Sequence, residues 1–160
     1  MRRKDRALST EAALQIIDAC PFATLSLIDG EGMPYGVPIT IVREGSAVYF
    51  HSALEGRKID GLRKNPHVSL SCVEKSENSQ TDYTVYYTSA ILKGRAEEIT
   101  EEEEKLYALE LLCRRHTPQL MKTFSSYAQR FLKVTGVWKI TVESVSGKGT
   151  AFVVDLPFIK

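Results

Sequence analysis

The stretch that decides the fold runs from Tyr35 to Pro66 and reads YGVPITIVREGSAVYFHSALEGRKIDGLRKNP. Its first part has the period-two alternation of a half-buried strand, with one face formed by Tyr35, Val37, Ile39 and Ile41. Pro38 has no N–H to give to a sheet ladder, so we expect this strand at a sheet edge or bulged at that residue. The next part, AVYFH, predicts another strand, and EGRKIDGLRK predicts a short helix that ends at Asn65-Pro66.

The residues before this stretch predict a helix and the first strand of a hairpin. Ser9 and Thr10 can cap a helix over residues 11–20, because their hydroxyls can accept bonds from the free amides of its first turn. The run FATLSLI at 22–28 is followed by the turn DGEG at 29–32. A β-hairpin with the strand that begins at Tyr35 is therefore expected.

The residues after the stretch return to strand patterns. HVSLSCV at 67–73 alternates again, and the polar segment 74–82 is typical of a loop. The segment 83–99 is long enough for one strand that bends near Gly94 or for two short strands. These patterns predict two or three further strands in the middle of the chain.

The C-terminal third predicts two helices and more strands. Thr100 and Glu103 form a capping-box pattern at the start of a helix that runs to His116, and a second helix is expected near Thr117-Pro118. A hairpin closes the chain, made of a strand pattern over 133–145, a turn at 147–149 and the short final strand AFVV. Short strands with helices between them predict a mainly β fold with flanking helices, a small antiparallel barrel in a single domain spanning residues 1–160.

Composition excludes several classes of protein. The chain has 160 residues, a formal net charge of +1 and three cysteines, Cys20, Cys72 and Cys113. An odd number of widely spaced cysteines without a CxxC pair argues against a disulfide framework or a zinc site. The basic N-terminus is not followed by an apolar run of the kind found in signal peptides. No stretch of the sequence has the roughly 20 consecutive apolar residues that a membrane span requires. We therefore expect a cytoplasmic protein that binds neither membranes nor, given its balanced charge, nucleic acid.

Signatures of hydrolases and metal sites are absent from the sequence. It has no GxSxG motif, and His51, His67 and His116 lack a ligand spacing such as HExxH. Glu101–Glu104 occupy all sides of a helix start, where negative charge suits the helix dipole, so we interpret them as a solvated first turn. The sequence therefore predicts no metal site.

One cluster does suggest a ligand. Ser52 and the helix start at Gly56-Arg57-Lys58 bring a hydroxyl, backbone amides and two cations within a few residues of one another, as a phosphate requires. Arg57 and Lys58 are adjacent and do not share a helix face, so they would reach an anion by different routes. The alternative is that both cations lie on the surface and that Ser52 only caps the helix.

The string PYGVPITIV…AVYFHSALEGRKIDGLRKNPHVSLSC resembles the signature of the flavin-binding split-barrel proteins, the superfamily of pyridoxamine 5'-phosphate oxidase. Together with MRRKDRALSTEAALQII and with YTSAILKGRAEEI before an acidic helix, it resembles the nitroimidazole-resistance branch most closely. The resemblance covers nearly the whole chain. It implies a six-stranded antiparallel split β-barrel, and a homodimer that holds one FMN in each of two clefts between the subunits.

The resemblance also implies roles for individual residues. The isoalloxazine ring would lie along the backbone of Val37, Pro38, Ile39, Thr40 and Ile41. The ribityl-phosphate would meet His51, Ser52 and Ala53, and its charge would be neutralised by Arg57 and Lys58. Further groups near the flavin would be Tyr87, Thr88, Ser89 and Trp138. Alternatively, the Tyr and Thr residues form a cross-strand ladder, and the tryptophan belongs to the core or to a dimer interface.

The function that the resemblance implies is an FMN-dependent oxidoreductase that reduces a small aromatic or nitro compound with electrons from a reduced nicotinamide. His51 is the candidate proton donor or substrate contact, because an imidazole titrates near neutral pH; a structural histidine at a strand end fits equally. Pyridoxamine 5'-phosphate oxidase itself is a poorer match, since the chain ends in VVDLPFIK and lacks that enzyme's Arg-containing motif. A non-enzymatic flavin-binding or sensing protein and a flavin-free barrel are the alternatives.

Overall fold

The computed structural model describes residues 7–81 and 83–153, with side chains as far as residue 147, and is built around one antiparallel sheet. Its strands are β1 (Ala7–Leu8), β2 (Ala23–Ile28), β3 (Pro34–Ile39), β4 (Val42–Glu44), β5 (Ala47–Ser52), β6 (His67–Asn78), β7 (Thr84–Glu98) and β8 (Gly136–Val153). The α-helices are α1 (Thr10–Ala19), α2 (Arg57–Lys64), α3 (Glu102–His116) and α4 (Phe124–Phe131), with 3₁₀ turns at Pro118–Thr123 and Leu132–Val134. The basic residues 2–4 and most of the C-terminal segment VVDLPFIK lie outside the described residues.

The order of the strands makes the sheet an open, split barrel. Neighbours run β3-β2-β6-β7-β8-β5-β4, and β1 adds to β8. The two ends of this path, β3 and β4, are consecutive in the chain and are joined only by Thr40 and Ile41. The sheet must therefore curl until its two edges approach each other, as the predicted split barrel requires. Six strands were expected and the described residues form eight, among them β1 and β4 with two and three residues, too short to show alternation.

Pro38 lies on an edge strand, as its missing N–H predicts. β3 pairs with β2 alone, and the register from Ile39 opposite Ala23 to Pro34 opposite Ile28 is continuous, so the strand has no bulge at Pro38. The predicted single strand over 35–43 is wrong in one respect, because it breaks at Thr40-Ile41 and continues as β4 on the opposite edge of the sheet.

The long strands correct two boundaries and decide between the alternatives for the segment 83–99. β6 runs to Asn78 through the segment expected to be a loop, and β8 continues through 147–149, where a turn was expected. Both extensions are paired with β7, which overrides the polar and glycine-rich local sequence. β7 itself is one strand, and the irregularity near Gly94 is a register shift relative to β8.

The helix starts were predicted with mixed success. Ser9 caps α1, its Oγ accepting from the Ala12 amide at 3.1 Å, so this prediction is confirmed. The capping box at Thr100 and Glu103 is wrong, because Glu101 is the N-cap of α3 and its side chain makes no capping bond.

Among the described residues, no helix is long and apolar enough to span a membrane.

Two apolar clusters position the site. The larger fills the barrel and includes Phe50 and Trp138, with α1 packed against it. The smaller lies where α3 covers β5, and includes Tyr49, Leu112 and Val137. Successive residues of a strand point to opposite faces, so β5 is covered by the barrel core on one side and by α3 on the other. The C-terminal end of β5 therefore opens between these two layers.

Candidate functional site

The end of β5 brings together several of the residues predicted for the site. His51 pairs with Val137 of β8 and Ser52 pairs with Gly136, the first residue of that strand. A Cβ on Gly136 would lie 2.9 Å from both Ser52 Oγ and the Ala53 carbonyl oxygen, closer than real Cβ contacts allow. A glycine is therefore needed for β8 to approach the Ser52-Ala53 backbone. The Ser52 hydroxyl donates to the Ala53 carbonyl at 2.7 Å, which leaves its own oxygen free to accept.

The N-terminus of α2 follows directly after this strand end. Gly56 is the N-cap, with φ of +122°, a conformation that side-chain-bearing residues rarely adopt, and as a glycine it makes no side-chain capping bond. The first amides of a helix have no partners within the helix and attract negative charge. The local structure thus presents backbone N–H donors beside Ser52.

Lys58, in the first turn of α2, is a half-buried cation without a counter-ion. Its Nζ lies 5.7 Å from the centre of the Phe50 ring. Desolvation lowers the pKa of this ammonium group, and no carboxylate within the described residues forms an ion pair with it. An anion at this position would supply the missing charge.

Arg57 is differently placed, because its exposed side chain is already paired with a buried carboxylate. Its Nε and Nη2 donate to Oδ2 of Asp29 at 2.8 and 2.6 Å, and Asp29 is only 2% exposed. The other Asp29 oxygen accepts from the amides of Glu31 and Met33. The pKa of Asp29 is lowered, first by the Met33 amide and then by Arg57. Arg57 therefore ties α2 to the β2–β3 turn, which leaves Lys58 as the cation available to a phosphate.

His51 lies on the face of β5 that turns towards α3 and α4, where its exposed ring lines a cavity between them. The pKa of this imidazole is lowered, chiefly by desolvation and further by the positive charge of Lys58 and by His116, so the ring is neutral at pH 7. His116, at the end of α3, places Nε2 2.8 Å from the carbonyl oxygen of Ile41. A carbonyl can only accept, so Nε2 of His116 carries the proton and the bond ties α3 to the β3–β4 connection.

A cavity of about 350 Å³ lies between the end of β5 and the two helices. It is mostly apolar and is lined by Thr40, His51, Leu109, Leu112, Cys113, His116, Thr117, Phe124, Tyr127, Ala128, Phe131 and Thr135. Two residues of the predicted flavin site, Thr40 and His51, thus share a wall with residues of the helices. The Phe124, Tyr127 and Phe131 spacing indicates only an amphipathic helix in the sequence, so this wall was missed there.

The remaining predicted residues of the edge strand offer their backbone. Ile39 and Ile41 are buried, and Val37 packs against the barrel core, so their side chains are occupied. Pro38 pairs with Thr24 on the opposite face of the strand. Because β3 is an edge strand, its outer backbone groups can still meet a ligand.

Two predicted contributions are not brought to the end of β5 within one chain. Trp138 is 2% exposed and stacks on Phe50 with ring centres 6.3 Å apart, so it lies in the barrel core, and its Nε1 has no hydrogen-bond partner in the described residues. Tyr87, Thr88 and Ser89 pair with residues 148–150 of β8, whereas His51 pairs with Val137. These positions are separated by roughly 40 Å of strand.

The comparisons with known proteins agree with this fold. The model of the family described as pyridoxamine 5'-phosphate oxidase matches residues 9–149. A protein of Rhizobium meliloti strain 1021 that carries no functional description is 32% identical over 111 residues, 67% of this chain and 68% of its own length.

Two solved structures extend the comparison. A candidate 5-nitroimidazole antibiotic resistance protein from Bacteroides thetaiotaomicron superposes with a TM-score of 0.79 at 28% identity, covering 91% of this chain and 87% of that one. An FAD-binding protein from Mesorhizobium loti has a TM-score of 0.66 at 23% identity, over 91% and 97% of the two chains, which indicates the shared fold. The match over residues 9–149 and the split-barrel topology together identify the chain as a member of the pyridoxamine 5'-phosphate oxidase family.

Proposed function

We propose that this protein binds FMN and uses it to reduce a small aromatic or nitro compound, with a reduced nicotinamide as the electron donor. The observation that carries the proposal is Lys58 in the first turn of α2, a desolvated cation for which the described part of the chain offers no counter-ion. A phosphate monoester would satisfy both features at once. Flavin-binding proteins among those that share the fold support a flavin as the bearer of that phosphate.

The chain offers suitable groups for each part of FMN. Lys58, the α2 amides and the Ser52 oxygen would hold the phosphate. The backbone of Val37–Ile41 would face the polar edge of the ring, since an edge strand has unpaired N–H and C=O groups. When bound, FMN supplies hydride and single-electron transfer.

His51 is the residue that could handle a proton at the reacting edge of a substrate. Its lowered pKa keeps the ring neutral at pH 7, so one ring nitrogen can donate a hydrogen bond while the other accepts one. A neutral imidazole beside Lys58 also avoids the repulsion that a second positive charge would create.

A second copy of the chain would complete the cleft. Tyr87, Thr88 and Ser89 are far from the end of β5 along β8, so we expect any contact they make with the same flavin to come from a partner subunit. The proposed assembly is therefore a homodimer in which each flavin touches both chains.

The proposal is tested by titrating purified protein with FMN and following flavin fluorescence. Saturable binding, followed by oxidation of reduced nicotinamide that depends on an added neutral nitroaromatic, is the expected result. Binding without turnover for any nitroaromatic or quinone would indicate a flavin-binding or sensing protein. The absence of FMN binding would refute the proposal as a whole.

A further inference from the structure

The cavity between α3, α4 and the end of β5, called here the α3–α4 cavity, has a wall without formal charge. None of its twelve lining residues is Lys, Arg, Asp or Glu. Most of the wall is aliphatic or aromatic, with Leu109 and Leu112 from α3 and Phe124, Tyr127 and Phe131 from the segment of α4. A charged ligand would lose its hydration there without gaining a partner of opposite charge.

The polar groups of the α3–α4 cavity are mainly hydroxyls and imidazoles. They include Thr40 from the β3–β4 connection, His51 from β5, and His116 and Thr117 from the end of α3. His116 is held in place by the bond from its Nε2 to the Ile41 carbonyl, so Nδ1 is the ring nitrogen that this bond leaves unused. An apolar enclosure with a small number of placed polar groups is the usual design of a pocket for an uncharged small molecule.

We infer that the α3–α4 cavity holds the ring of the substrate and selects neutral aromatic molecules against anionic ones of the same shape. The inference rests on the proposed function, because Thr40 and His51 belong both to the proposed flavin site and to the cavity wall, so a ring in the cavity adjoins the flavin. Its volume of about 350 Å³ is at the small end of ligand pockets, which fits a single substituted ring. A phosphorylated substrate is disfavoured, since the wall has no cation to meet its phosphate.

Two matched pairs test the inference. The ligands are 4-nitrobenzyl alcohol, which is neutral, and 4-nitrobenzoate, which has the same nitrophenyl ring and a negative charge. The variants are Leu109→Trp, which fills the cavity, and its control Leu111→Trp. Both leucines are half-buried on α3 against the same apolar cluster, but of the two Leu109 alone lines the cavity. Binding is measured by calorimetry on the full chain, with and without FMN, and FMN binding is measured separately by flavin fluorescence.

We expect the alcohol to bind at least tenfold more tightly than the benzoate. Leu109→Trp should weaken the alcohol at least tenfold and leave the FMN dissociation constant within twofold, whereas Leu111→Trp should change neither. Tyr127→Ala is a second variant, which we expect to fold normally because this side chain is 65% exposed. It should weaken binding of the alcohol several-fold, since Tyr127 lines the cavity.

Equal or tighter binding of the benzoate would overturn the inference, as would equal effects of the two tryptophan variants in folded protein. Loss of FMN affinity in Leu109→Trp would also overturn it, since the cavity would then belong to the flavin. If FMN binds and Leu109→Trp does not change the affinity for the alcohol, this inference fails and the proposed function stands. If FMN does not bind but the alcohol shows the expected selectivity and sensitivity, the proposed function fails and the selective cavity stands.

Discussion

Replacing Lys58 by methionine separates a phosphate-binding lysine from an ordinary surface lysine. The substitution keeps a flexible side chain of similar length against Phe50 and removes only the charged group. Lys64→Met, in the same helix, is the matched control, because Lys64 Nζ already donates to the Gly30 carbonyl at 2.8 Å and lies at the other end of α2.

The expected magnitude follows from the contacts of the ammonium group. A hydrogen bond to a charged group contributes about 1.5–3 kcal/mol, so its loss corresponds to a rise of about 10- to 150-fold in the Kd for FMN. In the FMN-free protein, Lys58→Met should leave the free energy of unfolding unchanged or raise it slightly. Lys58 has no ion-pair partner among the described residues, and desolvation lowers its pKa, so removing the charge also removes a cost of burying it.

The assay is a fluorescence titration of FMN at low and moderate ionic strength, accompanied by chemical denaturation of the FMN-free protein. Lys58→Met should raise the Kd, reduce its dependence on salt and leave the free energy of unfolding equal or higher. Lys64→Met should leave FMN binding unchanged. A Kd within twofold of wild type for Lys58→Met, or an equal loss in both variants, would refute the assignment of Lys58 to the phosphate.

Three further substitutions follow from the site. Asp29→Asn removes the charge that neutralises Arg57, so we expect a lower melting temperature than for the exposed control Glu31→Gln. His51→Gln should flatten the pH dependence of stability. Because the pKa of His51 is lowered in the folded protein, the unfolded chain binds more protons at pH values between that pKa and about 6.5, so the free energy of unfolding rises with pH in this range. Denaturation series between about pH 5 and 7 measure this slope in wild type and variant. Gly136→Ala places a Cβ 2.9 Å from Ser52 Oγ and should weaken FMN binding, whereas Gly30→Ala, with its nearest contact at 3.6 Å, should not.

Local patterns in the sequence were sufficient where a single residue imposes a rule. Pro38 cannot donate to a ladder, and its strand is indeed at an edge. Ser9 is followed by a helix whose amide it caps. The turn expected at 147–149 failed because glycine tolerates an extended strand when a long neighbour such as β7 supplies the partners. Local preference is weak compared with pairing along fifteen residues.

The choice between adjacent cations could not be made from the sequence. In the sequence, Arg57 and Lys58 are simply two adjacent basic residues, and the resemblance assigns both to the phosphate. The fold distinguishes them through Asp29, which is distant in sequence and reaches Arg57 only because α2 packs on the β2–β3 turn. Gly61 permits that packing, since a Cβ there would lie 2.4 Å from Leu27 Cδ1. Trp138 was likewise undecidable, because core and cleft positions alternate along the same strand.

The open seam of the barrel explains why the site lies where it does. Thr40 and Ile41 cross from one edge of the sheet to the other, so their backbone is not committed to a continuous ladder, and the His116 bond to Ile41 fixes this crossing against α3. The seam, the end of β5 and the α3–α4 cavity therefore share a boundary, whereas the phosphate site proposed at Lys58 lies on α2. Conversely, the end of β7 that carries Tyr87 lies far along β8 from the end of β5, which is why the proposed homodimer assigns that end to the second chain.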